Sequence, residues 1–556
     1  MMRSAAALLA LVLAACGGSQ DGPGVGNGGD TEVPERERFG GVAIVGAGNQ
    51  VTDLNPLTSM DGTANQIQQF VLFMPLITYD DQFQPVPRWA TSWEVNADTT
   101  ELTFRLRDDV FWHDGTKASA HDVKFSYDRA RDPETAFPNP GFWTYYGEAA
   151  VPDSFTFRVQ VRPHADFLDP WRAFAPVPRH LLADVPPGQL RQHPFATRPV
   201  GNGPFKLVSH PESQDWVFEA NPQFPAELGG RPYLDRLVYR AIPEPTTLLT
   251  ELLTGGIDYY IAPTSEQAEQ IKQSDRARLT GFPARDYVYI AWNARRPLFQ
   301  DARVRRALGM AINREGIING VLGGAATPAS ATIPPFFWQV DPGAGADVRY
   351  DPEAAKRLLQ EAGYTDRNGD GIVEDAQGRP FSFVIKSNQG NRIRNDIAQI
   401  VQSDLRKIGV EAQPQVLEWN TLVEQVTTPS KRDFDAVVFG FGTEFQVDDS
   451  GLFHCGKRNE PYHLSGYCDA EMDRLLDTLP RIVDRAAARP LWARYQRKIA
   501  MDQPITLLYF QQRREGVSAR LRNVEPDARG DLVGVDRWYI VPGQRRAAGP
   551  QQTAQR

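Results

Sequence analysis

Short strand-like and helix-like patterns alternate along most of this chain, and this alternation limits the folds that are open to it. Residues 101–106 (ELTFRL) and 154–161 (SFTFRVQV) alternate polar and apolar side chains, which indicates half-buried strands. Residues 287–291 (YVYIA) predict a buried strand, and residues 302–312 repeat apolar side chains at helical spacing. Strands separated by helices in this way are typical of the mixed α/β class.

The other predicted elements follow the same alternation. A helix is predicted to begin after Ser119, an N-cap residue whose acidic partner Asp122 lies three positions later. Further strands are predicted at residues 216–219, 237–242, 381–385 and 436–439, and a further helix at residues 393–408. The sequence shows no internal repeat.

Length and charge narrow the class of protein. The chain has 556 residues, of which 41% are hydrophobic, so it can bury more than one core. Its net charge of -9 argues against nucleic acid as a partner, because phosphate backbones attract clustered Lys and Arg. Aromatic residues make up 10% of the chain, which indicates either a large core or a surface on which an organic ligand stacks.

The N-terminus has the composition of an export signal. Residues 5–15 (AAALLALVLAA) form an uninterrupted run of small and apolar side chains. This run is shorter than the roughly 20 residues that a membrane-spanning helix needs, but it fits a secretory signal. Residues 13–17 (LAACG) resemble a lipobox, in which the cysteine, here Cys16, is acylated and becomes the new N-terminus. The alternative is an ordinary signal peptide with a chance cysteine.

If Cys16 is the lipidated residue, the two ends of the chain lie outside the folded body. Residues 1–15 are then a lipoprotein signal peptide, and residues 16–38 are a flexible tether that is too poor in apolar residues to order itself. Residues 544–556 are polar and predict a loose tail. We therefore expect an exported body held at a membrane by acyl chains, facing the periplasm or the cell exterior.

Cys455 and Cys468 are the two cysteines outside this signal. In an exported protein, an even number of remaining cysteines suggests a disulfide. A zinc site that includes His454 and His463 is a competing interpretation, although the spacing matches no standard zinc pattern. The third interpretation is that both cysteines are free thiols.

The chain carries a family signature in four stretches, which are residues 83–93 (FQPVPRWATSW), 102–129 (LTFRLRDDVFWHDGTKASAHDVKFSYDR), 200–207 (VGNGPFKL) and 291–317 (AWNARRPLFQDARVRRALGMAINREGI). Together they resemble the family 5 extracellular solute-binding proteins, which are the dipeptide-, oligopeptide- and nickel-binding proteins of ABC importers. The resemblance covers roughly residues 40–540. His113 lies in a His-Asp-Gly-Thr turn, where a structural role is favoured over catalysis.

The resemblance implies a two-lobed α/β fold of the periplasmic-binding-protein type, class II with an extra inserted domain, in which a hinge lets the lobes enclose a ligand. It places residues 39–73, 190–285 and 501–543 in the main domain of the first lobe. Residues 74–189 form the inserted domain of that lobe, and residues 286–500 form the second lobe.

Peptide-binding relatives also indicate where the ligand is held. In them a Gly-Trp-x-x-Asp stretch of the second lobe faces the ligand, and its Asp binds the peptide ammonium group. The corresponding residues here are 440–444 (GFGTE), so Phe441 stands in place of the Trp and Glu444 in place of the Asp. Asp448 and Asp449 follow closely and are alternative anchors. The alternative interpretation is that the whole segment is a solvated acidic loop without a role in binding.

Two other positions are candidates for contact with the ligand. Asp61 follows a segment that lines the cleft in relatives, and its carboxylate either faces an amine or caps a helix. Trp419 follows a predicted strand and forms either a wall for an organic side chain or part of the core.

Residues 366–377 resemble the start of an EF-hand calcium loop, with Gly371 at position six. The oxygen donors at positions one, three, five and nine are Asp366, Asn368, Asp370 and Glu374. Gln377 occupies position twelve, where the bidentate Glu belongs. Because such a hairpin is also common in the family without a required metal, we expect either a structural calcium ion or none, and no other cofactor.

A secreted hydrolase is the alternative from another class, but the sequence has no Gly-x-Ser-x-Gly, His-Glu-x-x-His or Walker motif. A surface sensor or a chaperone-like protein of the same fold is a further alternative. Nickel is disfavoured as the ligand because the eight His and seven Met do not cluster. A sugar ligand remains an alternative. The sequence therefore predicts a non-enzymatic lipoprotein that captures peptides or peptide-like solutes and delivers them to the permease of an ABC importer.

Overall fold

The computed structural model describes residues 33–165, 167–210, 215–445 and 447–546. The predicted signal peptide, Cys16 and most of the predicted tether therefore lie outside the described residues. Within the described part of the chain, no helix has both the length and the apolar character needed to cross a membrane.

Strands and helices alternate along the described residues, which confirms the α/β prediction. The strands before residue 300 are β1 (Val42–Ala47), β2 (Ile77–Tyr79), β3 (Pro85–Pro87), β4 (Ala90–Val95), β5 (Glu101–Leu106), β6 (Tyr146–Asp153), β7 (Thr156–Val161), β8 (Phe205–Ser209), β9 (Asp215–Ala220), β10 (Arg236–Ala241), β11 (Tyr259–Ile261) and β12 (Ala277–Trp292). The later strands are β13 (Ala326–Pro328), β14 (Ser382–Asn388), β15 (Glu411–Leu417), β16 (Ala436–Gly442), β17 (Ile505–Ser518), β18 (Leu521–Arg522) and β19 (Tyr539–Ile540).

Helices lie between these strands, joined by short 3₁₀ turns. The helices before residue 300 are α1 (Glu35–Arg38), α2 (Gly62–Ile67), α3 (Ala120–Arg131), α4 (Asp169–Ala173), α5 (Arg179–Leu182), α6 (Pro245–Thr254) and α7 (Ser265–Lys272). The later helices are α8 (Ala302–Ala311), α9 (Arg314–Leu322), α10 (Pro352–Glu361), α11 (Arg392–Arg406), α12 (Trp419–Thr427), α13 (Ser450–Phe453), α14 (Ala470–Thr478) and α15 (Arg485–Asp502).

Each predicted strand or helix overlaps an observed one. The predicted N-cap is confirmed at α3, where the Asp122 carboxylate accepts a hydrogen bond from the Ser119 backbone N–H at 2.8 Å. The largest difference is in β12, which has 16 residues, whereas the sequence predicted only its buried end. Gly281 and Pro283 lie in the other half of β12. Because both residue types are uncommon inside strands, the sequence pattern did not predict a strand there.

Two long antiparallel strands, β12 and β17, lie in the middle of a sheet formed by eleven of the described strands. The sheet order is β15-β14-β16-β12-β17-β11-β1-β10-β9-β8, with β13 also paired to β17. Residues 277–283 of β12 pair with the second half of β17, and residues 287–291 pair with its first half. The register shifts between Pro283 and Tyr287, so the sheet changes there from one lobe to the other.

The two lobes have separate cores, except that Tyr79 and Phe83 of the first lobe pack in a core of the second. In the second lobe, Tyr287 and Tyr289 of β12 face one core, whereas Val288 and Ile290 face another on the opposite side of the sheet. This explains the uniformly apolar sequence of that strand, because helices cover both faces of the sheet. The first lobe has its largest core between residues 43 and 259, completed by residues 517–540.

Residues 74–189 contain a separate antiparallel sheet of the order β4-β5-β7-β6. This sheet shares the large first-lobe core, since Phe104 and Phe157 belong to the same cluster as Val45 of β1. The division into domains stays a prediction. Ile505 packs in a second-lobe core and Val517 in the first-lobe core, because a strand that crosses the lobes contributes to both.

The last residues of the predicted tether pack against the first lobe. The Tyr233 hydroxyl donates to the Glu35 carboxylate at 3.1 Å, and the Arg38 guanidinium lies 5.5 Å from the centre of the Tyr539 ring. Arg546, in the predicted tail, donates to the Gly256 carbonyl at 3.2 Å. The folded body therefore begins before residue 39 and continues past residue 543, because charged side chains at both ends find aromatic or backbone partners.

Two of the family-signature turns contact each other through His113. The Gly201 N–H donates to Nδ1 of His113 at 3.2 Å, and Nε2 of His113 lies 3.1 Å from the Gly203 carbonyl oxygen. Burial lowers the pKa of His113 to about 4, so the neutral ring accepts one bond and donates the other. The predicted structural role of His113 follows from this arrangement.

Cys455 and Cys468 form a disulfide, with their Cα atoms 4.6 Å apart. The bond leaves no thiolate for the alternative zinc site. His454 lies 3.5 Å from Asp477 instead, and His463 is fully buried. Burial lowers the pKa of His463 to about 4, so this ring is neutral near pH 7.

We predict that replacing both bonded cysteines with alanine lowers the free energy of unfolding by about 3 kcal/mol, because the disulfide closes a short loop in the unfolded chain. Urea unfolding of the mature chain with Cys16 replaced by serine measures this loss. A reductant should destabilise the parent protein by a similar amount and leave the Cys455→Ala/Cys468→Ala protein unchanged. Equal stability of the reduced and oxidised parent would contradict the prediction.

Candidate functional site

Two adjoining cavities lie between the lobes, next to the crossing strands β12 and β17. Their volumes are ≈ 550 Å³ and ≈ 480 Å³. Both are lined by Gly62, Gln66, Arg285 and Arg529, so they adjoin, and we name the two together the interlobe cleft. Its walls come from α2 and nearby loops of the first lobe, from the hinge, and from the segment after β16 in the second lobe.

The second half of α2 and the turn that follows it supply amide side chains to the cleft. Asp61 caps this helix, because its carboxylate accepts a hydrogen bond from the Ala64 N–H at 2.9 Å. The cleft is lined by the amides Asn65, Gln66 and Gln69 and by the neighbours of Asp61, which are Met60 and Gly62. Of the two roles expected for Asp61, the structure shows the helix cap.

Glu444 lies in the cleft with 82% of its side chain exposed. Its carboxylate is 3.3 Å from a guanidinium nitrogen of Arg285, which also donates to the Thr443 carbonyl at 2.8 Å. A ligand ammonium group would therefore share Glu444 with Arg285. The next residue, Phe445, is buried, and its ring centre lies 4.4 Å from the Arg285 guanidinium and 4.5 Å from that of Arg172.

Phe445 joins the lobes. This second-lobe ring packs 5.6 Å from Tyr79 and 5.7 Å from Phe83, both of which belong to the first lobe. On its own side it stacks on Phe337 at 5.6 Å. Arg172 of the first lobe lies over both Tyr79 and Phe445, at 5.3 Å and 4.5 Å. The lobes are thus in contact beside the cleft, through one aromatic cluster and one cation.

Asp448 and Asp449 are neighbours in sequence with opposite environments. Asp448 is exposed and lines the cleft, where its carboxylate accepts a hydrogen bond from the Ser450 N–H at 2.9 Å. Asp449 lies inside the second lobe, and it accepts bonds from the hydroxyls of Thr332, at 2.6 Å, and Tyr495. Burial raises the pKa of Asp449. Asp449 is therefore an internal residue and not the cleft residue that the sequence suggested.

Trp419 is 43% exposed, so it is not a core residue. Its ring stacks on Phe439 at 5.9 Å, and the Arg394 guanidinium lies 5.7 Å from its centre. Arg394 lines a third cavity, of ≈ 400 Å³, which meets the interlobe cleft at Asp286 and Arg513.

Phe441 is half-buried at the end of β16, and its ring lies 5.7 Å from that of Tyr462, which is 52% exposed. Trp419 and Phe441 therefore form partly exposed aromatic surface on the second lobe.

The match to known proteins agrees with this architecture. The model of the bacterial extracellular solute-binding proteins, family 5, matches residues 84–460. The oligopeptide-binding protein AppA of Bacillus subtilis is 30% identical to this chain over 547 residues, which are 97% of this chain and 98% of that protein. This chain belongs to the family 5 extracellular solute-binding proteins.

Solved structures of related proteins confirm the two-lobed fold. The structure of AppA from Bacillus subtilis in complex with a nonapeptide covers 91% of this chain and 99% of that one, with a TM-score of 0.69 and 30% identity. The substrate-binding protein CtaP of Listeria monocytogenes has a TM-score of 0.79 at 21% identity, and covers 90% of this chain and 99% of that one. At that identity, CtaP supports the fold alone.

In this solute-binding protein, three arginines of the cleft were not among the residues that the sequence suggested. Arg172 pairs with Asp169 at 3.0 Å, and Arg529 pairs with Asp527 at 2.5 Å. Arg285 adjoins the predicted boundary between the lobes, and that boundary was the one signal that could have identified it as a cleft residue. Arg172 and Arg529 come from distant loops, which no sequence pattern brings together.

A buried pair of carboxyl groups lies beside the hinge. Glu515 of β17 is fully buried and accepts a hydrogen bond from the Ala262 N–H at 2.8 Å. Burial and the neighbouring Asp531 raise the pKa of Glu515 well above its usual value. Asp531 is paired with Arg513 at 3.1 Å, so Glu515 is the one of these two neighbouring carboxyl groups that keeps a proton.

This proton makes stability depend on pH. Above the ordinary pKa of a glutamate, the unfolded chain loses the proton that the folded chain keeps, so stability falls as pH rises toward the folded pKa. Below the ordinary value both states are protonated and the contribution is fully present. We predict that Glu515→Gln removes this loss, so its Tm relative to the parent rises by about 2 °C or more between pH 4 and pH 7.

Thermal unfolding of both proteins across this pH range measures the difference. The matched control is Glu353→Gln, a change of the same type on exposed α10, which should show no such trend. A Tm difference between Glu515→Gln and the parent that stays constant with pH would show that Glu515 is ionised in the folded protein.

Proposed function

We propose that this protein captures peptides or peptide-like solutes in the interlobe cleft and delivers them to the permease of an ABC importer, while a lipid on Cys16 holds it at a membrane. The observation that carries this proposal is the composition of the cleft. Its walls combine amides of the first lobe, carboxylates of the second lobe and guanidinium groups of the first lobe and the hinge. The nonapeptide complex of AppA, 30% identical to this chain, supports the same class of ligand.

A free peptide offers an ammonium group, a carboxylate and a row of backbone amides. Glu444 and Asp448 of the second lobe match the first of these, and Arg285 at the hinge matches the second. Gln66 and Asn65 of α2 can donate to carbonyls and accept from N–H groups along the peptide. This set suits a peptide better than a neutral sugar, which needs no paired charges of both signs.

The crossing strands allow such a ligand to close the lobes. A peptide that contacts α2 and the segment after β16 touches both lobes, and it favours the closed state by the contacts that only this state completes. The register shift between Pro283 and Tyr287 interrupts the pairing of the two strands, so rotation there breaks few hydrogen bonds. Capture then needs rotation at the hinge and no chemical step.

We predict that the double variant Glu444→Gln/Asp448→Asn weakens binding of a free-amine peptide by about 30-fold or more, because it removes the carboxylates that face the ammonium group. Isothermal titration with a peptide pool, followed by the single best peptide, measures the loss. The N-acetylated form of that peptide should bind the parent weakly and lose little more in the variant. The two single variants assign the share of each carboxylate.

Glu353→Gln, at an exposed residue that does not line the cleft, is the matched control and should bind as the parent does. Equal losses for the free and acetylated peptides, or no loss, would show that these carboxylates do not bind an amine. Mass spectrometry of the recovered peptide separates binding from hydrolysis, since an intact peptide after saturation supports capture. If no member of the pool binds, a ligand other than peptide is indicated.

The anchor is tested separately. We predict that Cys16→Ser converts a membrane-bound protein into one that stays in the aqueous phase, because the acyl chains that hold it are no longer attached. Partition of the two proteins between detergent and water after expression in a bacterial host measures this change. Unchanged partition into detergent would contradict a lipid on Cys16 and leave the ordinary signal peptide as the explanation.

A further inference from the structure

The loop between α10 and β14 brings three carboxylates together on the second lobe. One ligand oxygen from each of Asp366, Asp370 and Glu374 lies within 4.8 Å of the others. Two oxygens bound to one calcium ion at 2.3–2.6 Å are at most about 5 Å apart, so this spacing fits a shared ion. Without an ion, three like charges at this distance repel each other.

The backbone of the loop holds these side chains in place. The Asp366 carboxylate accepts hydrogen bonds from the Gly369 N–H at 2.7 Å and the Gly371 N–H at 3.0 Å. Asp370 accepts from the Ile372 N–H at 2.7 Å. Gly369 and Gly371 have φ of +81° and +87°, which non-glycine residues rarely adopt, so the tight path of the loop depends on them.

Glu374 is the residue that points to a ligand. It is only 3% exposed, and its Oε2 accepts a hydrogen bond from the Arg367 N–H at 2.7 Å. Its other oxygen, Oε1, is buried and has no hydrogen-bond partner in the described part of the chain. A buried carboxylate oxygen without a partner is costly, and a cation between Glu374 and the two aspartates would satisfy it.

The ligand atoms that the loop offers determine which cation it would bind. They are carboxylates, with the amide oxygen of Asn368 and the backbone carbonyl of Ile372 at the third and seventh positions of the loop. Hard oxygen donors of this kind favour Ca²⁺ over zinc, which prefers nitrogen and sulfur. Gln377 at position twelve lacks the usual bidentate carboxylate, and buried Glu374 at position nine supplies the third charge instead.

We propose that Asp366, Asp370 and Glu374 form a calcium site that stabilises the second lobe. Thr365 and Glu374 exchange two backbone hydrogen bonds of 3.0 Å, and the Val373 carbonyl accepts a bond from the N–H of buried Phe381 at 2.8 Å. The ion therefore ties the hairpin to the chain that enters β14.

The site is remote from the interlobe cleft. β14 runs parallel to β16, and the residues that follow the end of β16, including Glu444, line the cleft. The calcium loop precedes the beginning of β14, which is the opposite end of these strands. Calcium therefore raises the stability of the lobe without contacting the peptide.

The test is isothermal titration of the EDTA-treated, dialysed mature protein with CaCl₂, followed by thermal unfolding with and without CaCl₂. We expect one ion per chain and a rise in Tm of a few degrees at saturation. Glu374→Gln should weaken calcium binding by about tenfold or more, because it removes one of three ligand charges. Asp370→Asn, on an exposed side chain that does not threaten folding, should weaken it in the same direction.

Two controls test whether the effect is specific to the three carboxylates and to calcium. Glu353→Gln on α10 should bind calcium as the parent does, and Mg²⁺ at equal concentration should raise the Tm less, because it tolerates only near-octahedral sites. Absence of binding heat and of any Tm shift up to about 10 mM CaCl₂ would overturn the proposal, as would calcium affinity unchanged in both Glu374→Gln and Asp370→Asn. A calcium-dependent change in peptide affinity would overturn the assignment of a purely stabilising role.

Discussion

The antiparallel pairing of β12 with β17 is the constraint on which the rest of the molecule depends. The two strands have 16 and 14 residues, long enough to run through both lobes. They are bonded to β11 on the first-lobe side and to β16 on the second-lobe side. Every strand of the central sheet is connected through this pair, and the register of the pair shifts after Pro283, between the first-lobe and second-lobe parts of β12.

The cleft follows from this crossing. Arg285 lies at the register shift, and it reaches both Glu444 and Phe445 of the second lobe. Phe445 in turn contacts Arg172 of the first lobe, so the hinge and both lobes meet around one ring. Phe445 is buried and the Arg172 side chain is largely buried, and a cation–π contact removed from water in this way contributes about 2 kcal/mol. Any ligand that contacts both lobes raises the population of the closed state by the contacts that only this state completes.

Much of the fold was predictable because local patterns report local structure. The Ser119 cap, the alternating strand β5 and the uniformly apolar end of β12 were all visible in the sequence. The candidate site was predictable only in part. Glu444 and Asp448 do line the cleft, whereas Asp449 does not, and one step along the chain separates a solvated carboxylate from one bonded to Thr332 inside the lobe. Residue type and spacing carry no information about that difference, which depends on packing.

The sequence by itself determined the family, the alternation of strands and helices, and the loop that places Asp366, Asp370 and Glu374 near one another, because each of these depends on residues close together in the chain. The tertiary structure alone decided the composition of the cleft and the exposure of Glu374. Arg172 and Phe445 are separated by almost half of the chain, and they meet because β12 and β17 bring the lobes together. The buried oxygen of Glu374 likewise depends on how the hairpin packs against the second lobe, and no local pattern encodes that contact.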